Sequence, residues 1–262
     1  MNVDLGRVRA VARKEFREYR GNRFIVTTMV VLPVIFLVLP MSGLFRLSSH
    51  TAATAVRAQV GSTLLLMLLM PVIIPATIAA YSVVGEREQG TLEPVLTTPV
   101  TREELLLGKA IAALLPAVAI ADTFFAIMVL AVRAGASPVV VDAIWQAPNF
   151  LAQALFAPLL AGWAIWVGMA ISARASDMRV AQQLSTLASL PALGITALMS
   201  FQVITPSIRV AVILAAVLLA INAAAWRVVS AMFDRERLVT GRRAERPVAD
   251  DVVPWPEDRP TA

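Results

Sequence analysis

Six nearly unbroken apolar runs, separated by short polar connections, set the plan of this chain: Phe24–Phe45, Val60–Val84, Leu105–Val132, Phe150–Ala173, Val180–Ile204 and Ile208–Ser230. They are 22 to 28 residues long, and each exceeds the roughly 20 helical residues that cross a hydrocarbon core. This pattern predicts an all-α, polytopic membrane protein with six transmembrane helices. The first run is longer than a signal-peptide core and is expected to be retained. Residues 1–23 form a cytoplasmic segment before the 24–230 transmembrane domain, and 231–262 form a Pro- and Arg-rich cytoplasmic tail whose composition predicts disorder.

Before the first run, Leu5, Val8, Ala12, Phe16 and Tyr19 recur at helical spacing opposite Arg7, Arg13, Lys14, Arg17 and Arg20. The stripe predicts an N-terminal amphipathic helix lying in the membrane interface, turning into the first span at Gly21-Asn22. With an even number of spans both termini share one side. Counting cations by connection puts 19 of 23 Lys and Arg on the side of the termini, which predicts that both are cytoplasmic. The outer connections, 46–59, 133–149 and 205–207, are too short for a folded domain. Prolines 33, 71, 75, 116, 158 and 191 place a bend-forming residue in each of the first five runs.

Composition narrows the chemistry. Hydrophobic content is 58%, charged content 16% and mean hydropathy +0.73, far from the roughly one-quarter charge of soluble domains. Zero Cys excludes disulfides and thiolate chemistry, and the single His50 excludes multi-histidine metal sites. An intramembrane enzyme lacks parts, since Asp122 is the only deep carboxylate. Asp122 lies 17 residues into the third run, roughly 25 Å along the helix. A carboxylate there costs a few kcal/mol unless paired or hydrated. Two readings stay open for it: a contact for a cationic substrate or coupling ion, or an interhelical hydrogen bond, with Arg209 or the neighbours of Thr123 as partner. In the fourth run Ala164, Gly168 and Ser172 at spacing four suit close helix packing.

The stretch between the second and third runs is the most informative. Thr91 is placed to cap a short helix whose first turn tolerates Pro94, Pro99 then breaks the chain, and Thr101-Arg-Glu-Glu104 has capping-box spacing that starts the next helix. The two glycines of Gly85-Glu-Arg-Glu-Gln-Gly90 match a phosphate loop, but Thr91-Leu92 follows where Lys-Ser/Thr is required, so no nucleotide site is read here.

Glu86-Arg-Glu-Gln-Gly-Thr-Leu-Glu93, followed by Leu-Thr-Thr-Pro-Val-Thr-Arg-Glu-Glu-Leu and Gly108-Lys109, resembles the segment after the second span of ABC-2 type ABC transporter permeases. Arg13-Lys-Glu-Phe16 before the first span, the Ser-Ala-Arg-Ala-Ser-Asp-Met-Arg loop at 172–179, Leu190-Pro191, and Phe233-Asp-Arg-Glu-Arg-Leu238 look similar in the same order over about residues 8–240. Pro94 departs from the family's pattern. The resemblance implies a permease subunit of an exporter, with a cytoplasmic coupling helix at about Gly90–Leu96 that docks into a separate ATP-binding subunit. Glu86, Glu88, Gly90, Thr91, Leu92, Glu93, Leu96 and Pro99 are its implied coupling residues, with Glu86, Glu88 and Glu93 read as exposed rim charges. ATP and Mg would be bound by the partner subunit, and this chain would hold no cofactor, metal or catalytic residue. Other implied partners are a second permease copy or a related permease, and membrane lipids; nucleic acid is not expected.

The family's cavity and subunit interface draw on spans one, two and five. In span five, Gln182, Ser185, Ser189, Thr196 and Ser200 share a face and, with Asp122, are candidates for the translocation path; helix–helix hydrogen bonding is the alternative role. A non-transporting assembly factor or channel on the same scaffold is the competing function. The substrate class stays open.

Overall fold

A computed structural model describes residues 3–88, 100–175, 177–200 and 208–232, in an all-helical arrangement. The helices are α1 (Leu5–Gly21), α2 (Arg23–Phe45), α3 (Ala53–Glu88), α4 (Arg102–Gly135), α5 (Pro138–Ile144), α6 (Ala147–Arg174), α7 (Met178–Ser200) and α8 (Ile208–Met232). Five of them, α2, α3, α4, α6 and α8, are long and apolar enough to cross a membrane. The sequence pattern predicts six such helices, and α7 makes the difference: Gln182, Gln183, Ser185 and Thr186 dilute its apolar content, and its described part ends at Ser200.

Local chemistry explains several boundaries. Asp4 caps α1, its carboxylate accepting from the Gly6 amide at 2.8 Å. Asn22 ends α1 and starts α2: its backbone N–H donates to Glu18 and Tyr19, while its side chain accepts from Phe24 and Ile25. At Thr101 the capping box forms as the spacing predicts, with the Glu104 amide donating to Thr101 Oγ1 and the Thr101 amide to Glu104 Oε2. Helices α3 and α4 run past the apolar segments they contain, reaching 36 and 34 residues, or roughly 50 Å each. Polar residues continue both helices because each residue added to a formed helix gains a backbone hydrogen bond.

Helix α3 is the core of the bundle, packing on α2, α4, α5, α6 and α7. Its apolar window is 72% buried, against 17% for α2, which leaves Val30, Val38 and Leu39 on the outer surface. The small-residue stripe of α6 packs against α3. A Cβ on Gly168 would lie 2.6 Å from that of Ala79, and Ser172 Oγ accepts from the Val83 and Val84 amides and donates to the Ala80 carbonyl at 2.6 Å. The connection 133–149, read only as a short link, contains α5, which Pro138 initiates and which buries Val140 and Ile144.

The apolar stripe of the N-terminal helix packs in part against the start of α4: Val8, Ala12 and Tyr19 are buried, with Val11 beside them, and Leu5 is 78% exposed. Gly108 makes this possible, because a Cβ there would come 2.6 Å from Val11 Cβ and 3.1 Å from the Val8 carbonyl.

Candidate functional site

At the end of the bundle where α1 packs, three helices contribute charges to one cluster. Lys109 of α4 is 2% exposed, and its ammonium donates to Glu15 Oε1 of α1 at 2.9 Å and to the Ser82 carbonyl of α3 at 2.9 Å. It also pairs with Glu86 Oε1 of α3 at 3.0 Å. From the outer side, Lys14 reaches Glu86 at 2.6 Å, Glu18 at 3.2 Å and Glu15 at 3.3 Å. These are the only two lysines in the chain. Removing such charges from water costs several kcal/mol per ion, and close pairing with satisfied hydrogen bonds is what offsets it.

Electrostatics follow the geometry. For Glu15 burial favours the neutral acid, but Lys109 and then Lys14 outweigh it and hold the carboxyl below the ordinary 4.5. Burial likewise disfavours charged Lys14, yet Glu15, Glu86 and Glu18 together raise its ammonium above the ordinary 10.5. Burial, followed by the Glu15 charge, pushes the Tyr19 phenol upward. Glu15, Glu18 and Glu86 present oxygens within 4.8 Å of one another, a spacing that suits a cation. The two ammonium groups meet that need. Beside the cluster a cavity of about 460 Å³ lies between the α1–α2 junction and α3, lined by Glu18, Asn22, Ile25 and Tyr81 among others.

A second set of bonds fixes the start of α4. Glu104, 1% exposed, accepts from the Asp4 backbone amide at 2.9 Å while closing its own capping box, and Arg7 lies 3.6 Å away. Arg102 donates to the Ser230 carbonyl near the end of α8 at 2.8 Å. The last turns of α3 and the first turns of α4 are thus both attached to α1.

A profile of the family described as ABC-2 family transporter protein matches residues 9–235. The chain belongs to the ABC-2 transporter family. A probable ABC transporter permease protein NosY of Pseudomonas aeruginosa is 37% identical over 101 residues, covering 38% of this chain and 36% of that protein. With its five apolar helices, this ABC-2 protein is a multi-pass membrane protein.

Set against the residues read from sequence, Glu86 requires a correction. It is 6% exposed and tied to Lys14 and Lys109, not an exposed rim charge. The reason is that the α3 helix carries it back against α1 and α4. Lys109, at the start of the third apolar run, is likewise inside the protein. Gly90, Thr91, Leu92, Glu93, Leu96 and Pro99, and the side chain of Glu88, lie outside the described residues. Asp122 accepts a hydrogen bond from Gln153 Nε2 of α6 at 3.3 Å, an interhelical bond whose partner is Gln153 rather than Arg209. On α7, Ser185 is buried and donates to the Ala181 carbonyl, and Gln182 is half-buried. The side chains of Ser189, Thr196 and Ser200 are outside the description, as is the tail from residue 233. Glu15 and Glu18 were given no role by the sequence alone, and Glu104 was read only as the closing residue of a capping box; the one local hint was Glu15 within Arg13-Lys-Glu-Phe16.

Proposed function

We propose that this chain is the membrane subunit of an ATP-driven exporter, driven by a separate ATP-binding subunit that docks on residues 88–99. Lys109 carries the reading: one buried ammonium joins Glu15 of α1 to Glu86 of α3, immediately before the segment that would meet the ATPase. A push on 89–99 would therefore reach α1, α3 and α4 as one body instead of dissipating in a loose loop. Leu92 and Leu96 are the apolar anchors of that contact, and Glu88 and Glu93 its rim. The remaining parts of the proposal are six spans with both termini cytoplasmic, α7 serving as the fifth, and two permease subunits per transporter. Gln182, Ser185, Ser189, Thr196, Ser200 and Asp122 remain candidates for the path, and ATP and Mg belong to the partner chain.

The test is copurification of the ATPase with Leu92→Ala and Glu93→Arg variants, together with substrate-stimulated hydrolysis in proteoliposomes. Truncating an anchor is expected to cost about 1–4 kcal/mol of docking and reduce both signals while insertion stays normal. Unchanged copurification and hydrolysis in the double variant would show that the segment is only a connector.

A further inference from the structure

At the opposite end of the bundle from the charge cluster lies a cavity of about 420 Å³, formed where α3 begins, beneath α5 and the start of α6. Its α3 lining extends from Ala53 to Leu68, roughly 22 Å of helix. The cavity is therefore long and runs along the bundle. It is also graded. Arg57, Asp142, Gln146 and Asn149 line its outer part, while Leu64, Leu68, Phe125 and Phe156 line its depth. Among the described residues no ion pair joins Arg57 or Asp142 to the protein. Both are exposed, and both line this one cavity. Between the two zones Gln153, 4% exposed, is held by its bond to Asp122.

The surroundings fix the level of the polar end. Trp145 is 50% exposed, with the Arg133 guanidinium 5.5 Å from its ring centre, at the end of the short helix that carries Asp142. An exposed Trp stacked with a cation beside an apolar helix marks the headgroup level of a bilayer. Val139, Phe150 and Leu151 are exposed around the same rim, so a molecule dissolved in the bilayer reaches the cavity sideways.

We propose that this cavity binds a zwitterionic phospholipid, with the headgroup phosphate at Arg57, the ammonium at Asp142 and the first part of one acyl chain on the Leu64–Leu68–Phe156 floor. Opposite charges lining one cavity select a zwitterion over an anion, since an anionic headgroup would satisfy Arg57 and leave Asp142 facing negative charge. The volume falls within the ~300–1,000 Å³ of small-molecule sites and admits a headgroup and a chain segment. The leaflet assignment, outer, rests on the orientation under Proposed function; the site itself does not.

The experiment is native mass spectrometry of the full chain released from detergent with equal phosphatidylethanolamine and phosphatidylglycerol. The wild type is expected to retain phosphatidylethanolamine about tenfold over phosphatidylglycerol, and Arg57→Glu to retain about tenfold less of either. Asp142→Lys should invert the preference toward phosphatidylglycerol, a change that a merely structural role would not produce. Leu64→Trp, which fills the depth, should lower retention of both lipids without altering their ratio. Equal retention of the two lipids by the wild type, or an unaltered ratio in Asp142→Lys, overturns the proposal. So does displacement of phosphatidylethanolamine by micromolar glycerophosphoethanolamine, which would make this a site for a soluble ligand. Because the chain has no cysteine, Asp142→Cys reads the leaflet separately: reaction with an impermeant maleimide on intact cells places it outside. Lack of reaction would reverse the leaflet and leave the binding result standing.

Discussion

Replacing Lys109 with Met keeps most of the side-chain volume and removes one buried charge. Three contacts near 2.9 Å are lost, to Glu15, Glu86 and the Ser82 carbonyl. Among the described residues, the ammonium that Glu15 and Glu86, both buried, still share is that of Lys14, which is 36% exposed and already engaged with Glu18. Breaking a buried pair from one side costs about 3–5 kcal/mol, because the remaining charge stays desolvated. Lys14→Met removes a half-exposed ammonium that water partly replaces, so its cost lies nearer the ~1 kcal/mol of surface pairs. At about 2–4 °C per kcal/mol for a chain of this size, Lys109→Met should melt roughly 6–20 °C below the wild type. Lys14→Met should lose only a few degrees. Fluorescence-detected melting of the purified protein in one detergent measures both. Lys109→Arg should also be costly, since a planar, forked guanidinium does not fit a site shaped for a compact ammonium between two carboxylates and a carbonyl. The discriminating control is Lys109→Met combined with Glu15→Gln. If the cluster is coupled, the double variant recovers about 0.5–3 kcal/mol relative to the sum of the singles. Equal melting of Lys109→Met and Lys14→Met, or strict additivity in the cycle, would refute a cooperative buried cluster.

Gly108→Ala should destabilise by about 1–3 kcal/mol and loosen α1, because the new methyl meets Val11 and the Val8 backbone; faster proteolysis within residues 5–21 reports it. The pH dependence has a defined sign. Glu15 is held below 4.5, so its contribution is present above that value and lost as pH falls through its folded value, whereas Lys14, raised above 10.5, contributes fully below 10.5 and loses its contribution as pH rises through its own. The melting difference between wild type and Lys109→Met should therefore be flat from about pH 5.5 to 9.5 and shrink in acid below about 4.5; a difference that grows in acid would contradict this. A reporter active only outside the cytoplasm, fused after Thr240, should give no signal if both termini are cytoplasmic.

Much of the scaffold was readable because its signals are local. The apolar runs need only a count, and the Thr101–Glu104 box needs only a spacing of three. Gly168 and Ser172 were legible as a packing stripe for the same reason, although their partner α3 was not. The charge cluster is another matter. Lys14 meets Glu86 across 72 positions and Lys109 meets Glu15 across 94, and nothing in the neighbouring residues marks which cation will be buried. Glu86 looked exposed because it lies among Arg and Glu in a polar stretch; the continuation of α3 through it, a tertiary effect, turned it inward. Asp122 shows the same limit, with a partner 31 residues away on another helix. In α5 the signal was present and brief: Ser137-Pro138 opens a helix of seven residues, shorter than the period needed to recognise an apolar face.

The pairing of both lysines in one cluster has a consequence for covalent chemistry on this protein. A chain with 21 arginines and two lysines offers amine-directed reagents very few handles, and one of the two, Lys109, is shut away from solvent. Lys14 is the accessible side-chain amine, and it sits on the helix whose docking defines this end of the molecule. Acylation there would neutralise the very charge that holds Glu86 of α3 to α1 and that pairs with Glu18 along α1. Routine lysine labelling or crosslinking is thus not a neutral tag for this ABC-2 protein but a reaction aimed at a single joint, and cysteine-directed chemistry at an introduced site is the gentler choice.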